Sequence, residues 1–391
     1  MTKRTVYLDN SATTKICPAA LKKYCDVSEE SFGNPSSLHE LGLFADKVTD
    51  EARGNIKRAL SENDCTVVFT ASGSEANNLA LIGRAFAKER FKGKKIITTD
   101  SEHASVLEPL RHLLGLGFRI CYIPTKNGRL DEEILAAEMD RDVFLVSIML
   151  TNNETGAVYN LPRVATLMRQ NSPDAKLHVD ATQGFLKIPF TMSQLGADMI
   201  TISSHKIEGP KGVGALVIKD ELIKNGGISP IIFGGGQEGG LRSGTENVPG
   251  IAAFGEAVRI GHNELSCRAK KTAELRAYLL DRLSESDTLK SISPTLPKVH
   301  APHIINLTLP GIKSETMLHF LSSEGIYVSS GSACSSNTAH VSSALTAYGR
   351  SGEEAANSVR ISFSHNNEKE DVDALILALE MGLLRLARSS K

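Results

Sequence analysis

The sequence lacks a charge of either sign in excess. Its 44 Lys and Arg nearly balance 45 Asp and Glu, for a formal net charge of −1. No strong field therefore steers the chain onto nucleic acid or an anionic membrane, and neither is expected as a partner. There is no apolar run of about 18 residues or more, which excludes a bilayer-spanning helix. The opening MTKRTVYLDNSATT has Lys3 and Arg4 but no apolar stretch behind them, so it does not read as a secretory signal. The cysteines, Cys17, Cys25, Cys65, Cys121, Cys267 and Cys334, form no C-x-x-C pair. Neither a zinc site nor a disulfide framework is indicated, no metal is expected, and a reducing cytoplasm is the expected compartment. Tandem repeats and low-complexity tracts are also missing.

What is present is an α/β pattern. With 391 residues, 41% of them hydrophobic, the chain can bury a sizeable core. Short β-rich runs alternate with helical periodicity from about residue 15 to 260, the pattern of a mostly parallel sheet with crossover helices. Strands are predicted at Thr66–Thr70, Lys95–Thr99, Phe118–Ile123, Val143–Met149, Lys176–Asp180, Met199–Ser203 and Ala215–Ile218, and helices at Ser37–Leu60, Glu75–Glu89, Leu161–Asn171 and Val248–His262. The glycine-rich stretch Asn225–Gly244 reads as a long functional loop. Beyond it come a helix at Glu264–Ser284, a strand at His303–Thr308, a helix at Ser314–Ser322, a strand at Ser358–Phe363 and a helix at Asp371–Ser389. This tail lacks steady alternation and reads as a smaller α+β domain. The division expected is a large domain over 15–260 and a small one from 1–14 and 261–391.

Four short elements carry chemistry. Ser203-Ser204-His205-Lys206, followed by Gly209-Pro210-Lys211-Gly212, ends a strand in a lysine and a tight turn. Burial there makes an amine nucleophilic, as a Schiff base requires. A lone lysine is more often a surface residue. His178-Val179-Asp180-Ala181-Thr182-Gln183 ends another strand in a carboxylate, although a lone Asp there is more often a helix cap. Ala71-Ser72-Gly73-Ser74-Glu75-Ala76-Asn77-Asn78 runs from a strand through small residues into a helix, where free N–H groups suit a phosphate. Taken alone it is also an ordinary capped helix. Ser101-Glu102-His103 puts an imidazole after a strand, where it can stack on a flat ring and shuttle protons. All four lie at the carboxyl ends of predicted strands, the edge where open α/β sheets bind ligands. Together they fit pyridoxal 5'-phosphate (PLP). Lys206 takes the aldehyde as a Schiff base, Asp180 keeps the pyridine nitrogen protonated, Gln183 reaches the ring oxygen, and the Gly73–Ser74 turn takes the phosphate.

With these residues assembled, the chain closely resembles the cysteine desulfurase family of the class V aminotransferase group. The resemblance runs from Tyr7-Leu8-Asp9-Asn10-Ser11-Ala12-Thr13-Thr14 to Ser358-Val359-Arg360-Ile361-Ser362-Phe363. It is most specific at the lysine motif, at Gly234-Gly235-Gly236-Gln237-Glu238 through Arg242-Ser243-Gly244-Thr245, and at Ser329-Ser330-Gly331-Ser332-Ala333-Cys334. It implies an aspartate-aminotransferase-like fold (fold type I) and a homodimer. It implies that Lys206 also moves the Cα proton, that His103 stacks on the ring, and that Gly73, Ser74, Ser203 and His205 bind the phosphate. Thr245 is expected to reach the phosphate of the partner subunit. Asn153 and Arg360 would hold the substrate carboxylate; a guanidinium fork suits that group. Cys334, in a small and polar setting without apolar periodicity, would be the nucleophile. The motif around it is similar to that of the iron–sulfur assembly or nitrogenase-maturation branch, in which the cysteine sits on a longer mobile loop.

The reaction implied converts L-cysteine to L-alanine and leaves a persulfide on Cys334 for a sulfur-acceptor protein. His103 serves as a proton donor. The alternatives are a selenocysteine lyase, a cysteine-sulfinate lyase, another class V aminotransferase, or a non-catalytic scaffold. Two departures from the family pattern stand out. Glu208 occupies a position where relatives usually carry an aromatic or other uncharged residue, and Ser335–His340 lacks the proline common there. Both bear on the identity of the acceptor.

Overall fold

The computed structural model describes residues 4–87, 93–330 and 342–386. In chain order the strands are β1 (Val6–Tyr7), β2 (Cys65–Thr70), β3 (Lys95–Thr99), β4 (Arg119–Ile123), β5 (Thr125–Lys126), β6 (Arg129–Leu130), β7 (Val143–Met149) and β8 (Lys176–Asp180). They continue with β9 (Met199–Ser203), β10 (Gly214–Lys219), β11 (Ser293–Thr295), β12 (Ile304–Thr308), β13 (Ile326–Tyr327), β14 (Ser329–Ser330) and β15 (Ser358–Ser362).

The central sheet has seven strands in the order β2-β10-β9-β8-β7-β3-β4. The pairings of β3, β4, β7, β8 and β9 are parallel, whereas β10 runs antiparallel to both β2 and β9. The sheet is therefore mixed and mostly parallel, and the strand predicted at Ala215–Ile218 is the one that reverses. Side chains alternate between two apolar faces, as strand geometry requires. Ile97, Val146, Val179, Ile200 and Val217 meet Ile56 and Phe254 from the helices Glu40–Leu60 and Val248–Asn263. Val68, Ile96, Leu145, Met199 and Leu216 meet Leu79 and Leu110 from the helices Gly73–Ala85 and Ala104–Gly115. Burying each of these side chains contributes roughly 1.5–3 kcal/mol. Coverage on both faces explains why the strands read as unbroken apolar runs.

A second core gathers Val6 and Leu8 with Leu275, Leu279, Leu307, Val359, Ile361 and Leu379. It is built on a four-stranded sheet, β11-β12-β15-β14, and on the helices Leu265–Glu285, Ser314–Ser323 and Lys369–Leu386. The N-terminal strand β1 pairs parallel with β13, and Asp9 bridges to Ser362. These contacts bring the first residues to the junction of the two cores.

Element boundaries differ from expectation in instructive places. The helix expected from Ser37 begins at Glu40, where His39 caps it by accepting from Gly42 N–H. The helix expected from Glu75 begins at Gly73, because Ser72 rather than Ser74 is its cap. Among the helices not predicted, the two longest, Pro18–Glu30 and Ala104–Gly115, carry no plain signal in the sequence. One opens behind a proline with no capping hydrogen bond, and the other contains Pro109.

Candidate active site

The carboxyl ends of β2, β3, β7, β8 and β9 open onto one cleft of about 540 Å3. Its walls include Gly73, Ser74, His103, Asn153, Asp180, Gln183, Ser203, His205, Lys206 and Arg360. Residues far apart in sequence thus meet as the strand-end reasoning required.

The turn after β2 is shaped by its cap. Ser72 Oγ accepts from Glu75 N–H at 3.1 Å, and Glu75 Oε2 accepts from Ala71 N–H at 2.9 Å. The opening N–H groups at Gly73 and Ser74 have no partner within the helix, the arrangement that suits an anion. Gly214 lets this turn come close: a Cβ there would stand 2.5 Å from the Ser72 carbonyl carbon and 2.8 Å from Gly73 N. The antiparallel run of β10 puts Gly214 between Thr70 and Ser203, so the reversed strand serves the site directly.

Lys206 closes a single 3-10 turn, Ser204–Lys206, after β9. Its ε-amine donates to the Ser11 carbonyl at 2.7 Å and to the Ala12 carbonyl at 2.9 Å. The same N-terminal segment holds His205: the Thr14 N–H and Oγ1 both donate to its carbonyl at 2.9 Å, and its Nδ1 lies 3.1 Å from Thr13 Oγ1. Burial, with Lys206 next to it, pushes the His205 imidazole down to about 4, so it is neutral at working pH. Asp180 accepts from Asn77 Nδ2 at 2.8 Å and from Thr182 N–H at 3.0 Å. Gln183 donates from Nε2 to the Ser11 carbonyl at 2.9 Å.

His103 is the cap of the helix Ala104–Gly115. Its Nδ1 accepts from Ser105 N–H at 3.1 Å and lies 2.8 Å from Ser105 Oγ. A neutral ring with Nδ1 as acceptor carries its proton on Nε2. Arg360, on β15 and 4% exposed, donates to the Asn153 carbonyl at 3.0 Å and to Asp9 Oδ1 at 2.8 Å.

The cleft walls and the sheet beneath them hold groups for which the sequence suggested no role. Glu154 accepts from Ser342 Oγ at 2.6 Å, and burial pushes its carboxyl up to about 7. Glu102 is buried behind His103, accepts from Met149 N–H at 3.0 Å, and is pushed up to about 8. His178 sits in the sheet between Ser147 Oγ at 2.9 Å and Thr201 Oγ1 at 3.0 Å, and burial pushes it down to about 4. Glu102 and His178 lie within motifs quoted above and Glu154 follows Asn153, but only their burial marks them.

Thr245 is not in the cleft. It is exposed, in the loop before the helix Val248–Asn263. Arg242, three residues earlier, pairs with Glu75 at 2.8 Å, and Glu238 accepts two 2.8 Å bonds from Arg53 while also capping Phe69 N–H. The glycine-rich loop is thereby fixed to β2 and to the phosphate-type turn. Cys334 lies outside the described residues. On either side of it, Ser329 pairs with Arg360 across β14 and β15, and Ser342 lies in the cleft wall. Glu208 is buried rather than displayed on the surface; its carboxylate bonds Arg268 and Asn366 inside the protein.

The family model for class V aminotransferases matches residues 6–375. The Archaeoglobus fulgidus cysteine desulfurase IscS 1 is 37% identical over 98% of each chain. The chain belongs to the cysteine desulfurase family of class V aminotransferases. A second relative of this family, the NifS/IcsS protein homolog of Lactobacillus delbrueckii subsp. bulgaricus, is 39% identical over 96% of each chain. A solved NifS-like protein superposes with a TM-score of 0.89 at 34% identity, covering 97% of this chain and all of that one. Fold type I and the cysteine desulfurase resemblance are thus both borne out.

Proposed function

We propose that this chain is a PLP-dependent cysteine desulfurase that takes sulfur from L-cysteine, releases L-alanine and leaves a persulfide on Cys334. The observation that carries this reading is the cleft wall itself. An amine, a carboxylate and an anion-cradling turn converge there, with Ser203 Oγ, Gln183 Oε1, Ser11 Oγ and Asn77 Oδ1 buried and unpartnered among the described residues. Buried polar atoms without partners are uncommon, and here they ring a space suited to a polar aromatic ligand. These residues fit PLP.

When bound, PLP supplies an electron sink for the pair released at the substrate Cα. The protein's own groups do the rest. Lys206 anchors the cofactor and moves the Cα proton. Asp180 holds the proton of the pyridine nitrogen. Gly73, Ser74, Ser203 and a neutral, donating His205 bind the phosphate, and Gln183 contacts the ring oxygen. His103 stacks on the ring and offers its Nε2 proton. Asn153 and Arg360 orient the substrate carboxylate. The Cys334 thiolate attacks the substrate sulfur. The S–S bond forms as the Cβ–S bond breaks, and the carbon takes a proton to become the alanine methyl, so no outside oxidant is needed.

Thr245 acts on the partner subunit's phosphate in a homodimer, which accords with its exposure outside its own cleft. Phe32, Leu38, Leu43, Phe44 and Phe233 are also exposed, an apolar surface suited to a partner chain. The persulfide passes to a sulfur-acceptor protein, such as an iron–sulfur scaffold, in a reducing cytoplasm. No helix among the described residues is long and apolar enough to cross a membrane. The large unit spans 15–260, and the small one is formed by 1–14 with 261–391. The test is incubation with L-cysteine, alkylation and mass mapping. Added sulfur on Cys334, absent in Cys334→Ala, is the expected result. Alanine released at the normal rate by Cys334→Ala would move the chain to the lyases that share this apparatus.

A further inference from the structure

Lys206 lines a second, smaller cavity of about 40 Å3, walled also by Lys187, Glu208, Arg268, His303 and His365. By this measure a water needs roughly 10–15 Å3, so there is room for a few water-sized occupants and none for a phosphate or a substrate. The charges around it do not cancel. Glu208 is committed on both oxygens, to Arg268 Nη1 at 3.0 Å and to Asn366 Nδ2 at 3.0 Å, with His365 Nδ1 at 3.5 Å. Arg268 also pairs with Glu264 at 2.9 Å. Lys187 is left over: its ammonium has no hydrogen-bond partner and no carboxylate within ion-pair distance among the described residues; it feels the fields of the cations Lys206, Arg268 and Arg360, opposed only by the more distant Glu208.

His303 adds an independent observation. It is 2% exposed, and neither ring nitrogen has a partner among the described residues. A neutral imidazole always carries one N–H, so a buried donor lines the space unused. Leu186, immediately before Lys187, is held at φ 55°, a left-handed conformation uncommon for a bulky side chain. Desolvation pushes this partly buried ammonium, left empty-handed, down to about 7, where it readily gives up its proton; a counter-ion keeps the proton in place.

We propose that this cavity binds a small monovalent anion of halide size, held by the Lys187 ammonium and the His303 N–H. The two donors, the spent carboxylate and the volume agree on that class of ligand. Its place in the wall shared with Lys206 puts a negative charge in the field of the amine that the reaction uses. The site is independent of the reading of the main cleft, and its test does not involve turnover.

The experiment uses the full-length protein with whatever cofactor it carries. Crystals grown in sodium bromide should give an anomalous peak between Lys187 Nζ and His303. At constant ionic strength, replacing gluconate by chloride should raise the thermal midpoint of the wild type, by the mass action of a ligand on the folded state. That rise should be lost in Lys187→Met and kept in Lys22→Met, a surface control. If Lys187→Met does not fold, His303→Leu takes its place, and the bromide map and wild-type titration stand without either variant. Water without anomalous signal would overturn the proposal. So would a chloride response that the variants leave intact, or a bromide peak without any chloride response, which would mean binding at crystal concentration only.

Discussion

The two cavities that share Lys206 are assembled on different plans. The large cleft draws most of its residues from the ends of strands in one sheet, and these arrive in short motifs: Gly73–Ser74 after β2, His103 after β3, Asp180 at the end of β8 and Lys206 after β9. The small cavity draws on segments with no common element. Lys187 and Glu208 come from loops, Arg268 from the helix Leu265–Glu285, and His303 and His365 from just before β12 and just after β15, at one end of the four-stranded sheet. A parallel sheet places its strand ends by topology alone, so chemistry written there is local in sequence. A cavity at the junction of two cores depends on how they pack, and no short motif encodes it.

Substitutions can break or sharpen this contrast. The largest effect is expected at the shared wall: Lys206→Ala should lower alanine formation by about 10^3-fold or more and remove the visible absorbance of bound cofactor. An intact rate would dissolve the distinction between a working cleft and a passive cavity. Next, Arg360→Lys loses the planar fork and should lower kcat/KM for L-cysteine by roughly 10- to 100-fold, chiefly through KM, while leaving the halide response of the thermal midpoint unchanged. If the halide response moved as well, the two spaces would not be separable.

Two smaller effects are read from stability against pH. Lys187 is displaced from its ordinary 10.5 down to about 7 when the cavity is empty. The unfolded chain then binds the extra proton between about 7 and 10.5, so stability should rise with pH across that window in halide-free buffer. The rise is at most about 2–4 kcal/mol, and Lys187→Met should flatten it. Chloride should also flatten it in the wild type. Glu154, in the large cleft, shows the opposite sign. Its carboxyl is raised from an ordinary 4.5 to about 7, so the folded protein holds more protons between those values. Stability should fall as pH rises through that range, by about 1–3 kcal/mol, and Glu154→Gln should remove the slope. Chemical denaturation at successive pH values measures both.

Much of the architecture is legible in the sequence because its signals are local. Apolar runs mark β7 and β9, and small polar residues after them mark the edge where ligands bind. The direction of β10 is not legible, since an apolar run reads the same in a parallel or antiparallel strand, and only pairing shows that Gly214 is what admits the Ser72–Gly73 turn. The helix Ala104–Gly115 escapes because its cap is a histidine and Pro109 interrupts the pattern. Glu154 and Glu102 read as ordinary acids, because a carboxylate's burial is set by packing rather than by its neighbours in the chain. Glu208 looks like a surface departure from the family, yet its positive φ and its bonds to Arg268 and Asn366 turn it inward.

The sheet beneath the cleft has a further consequence. Near neutral pH, burial keeps a proton on Glu102 and denies one to His178, so neither adds charge to the ground under Asp180. That surface works as a lone negative pole in an otherwise silent field. A protonated heterocycle nitrogen settling there meets one matching charge, and Asp180→Asn would remove that match while the phosphate turn and Lys206 still place the ring.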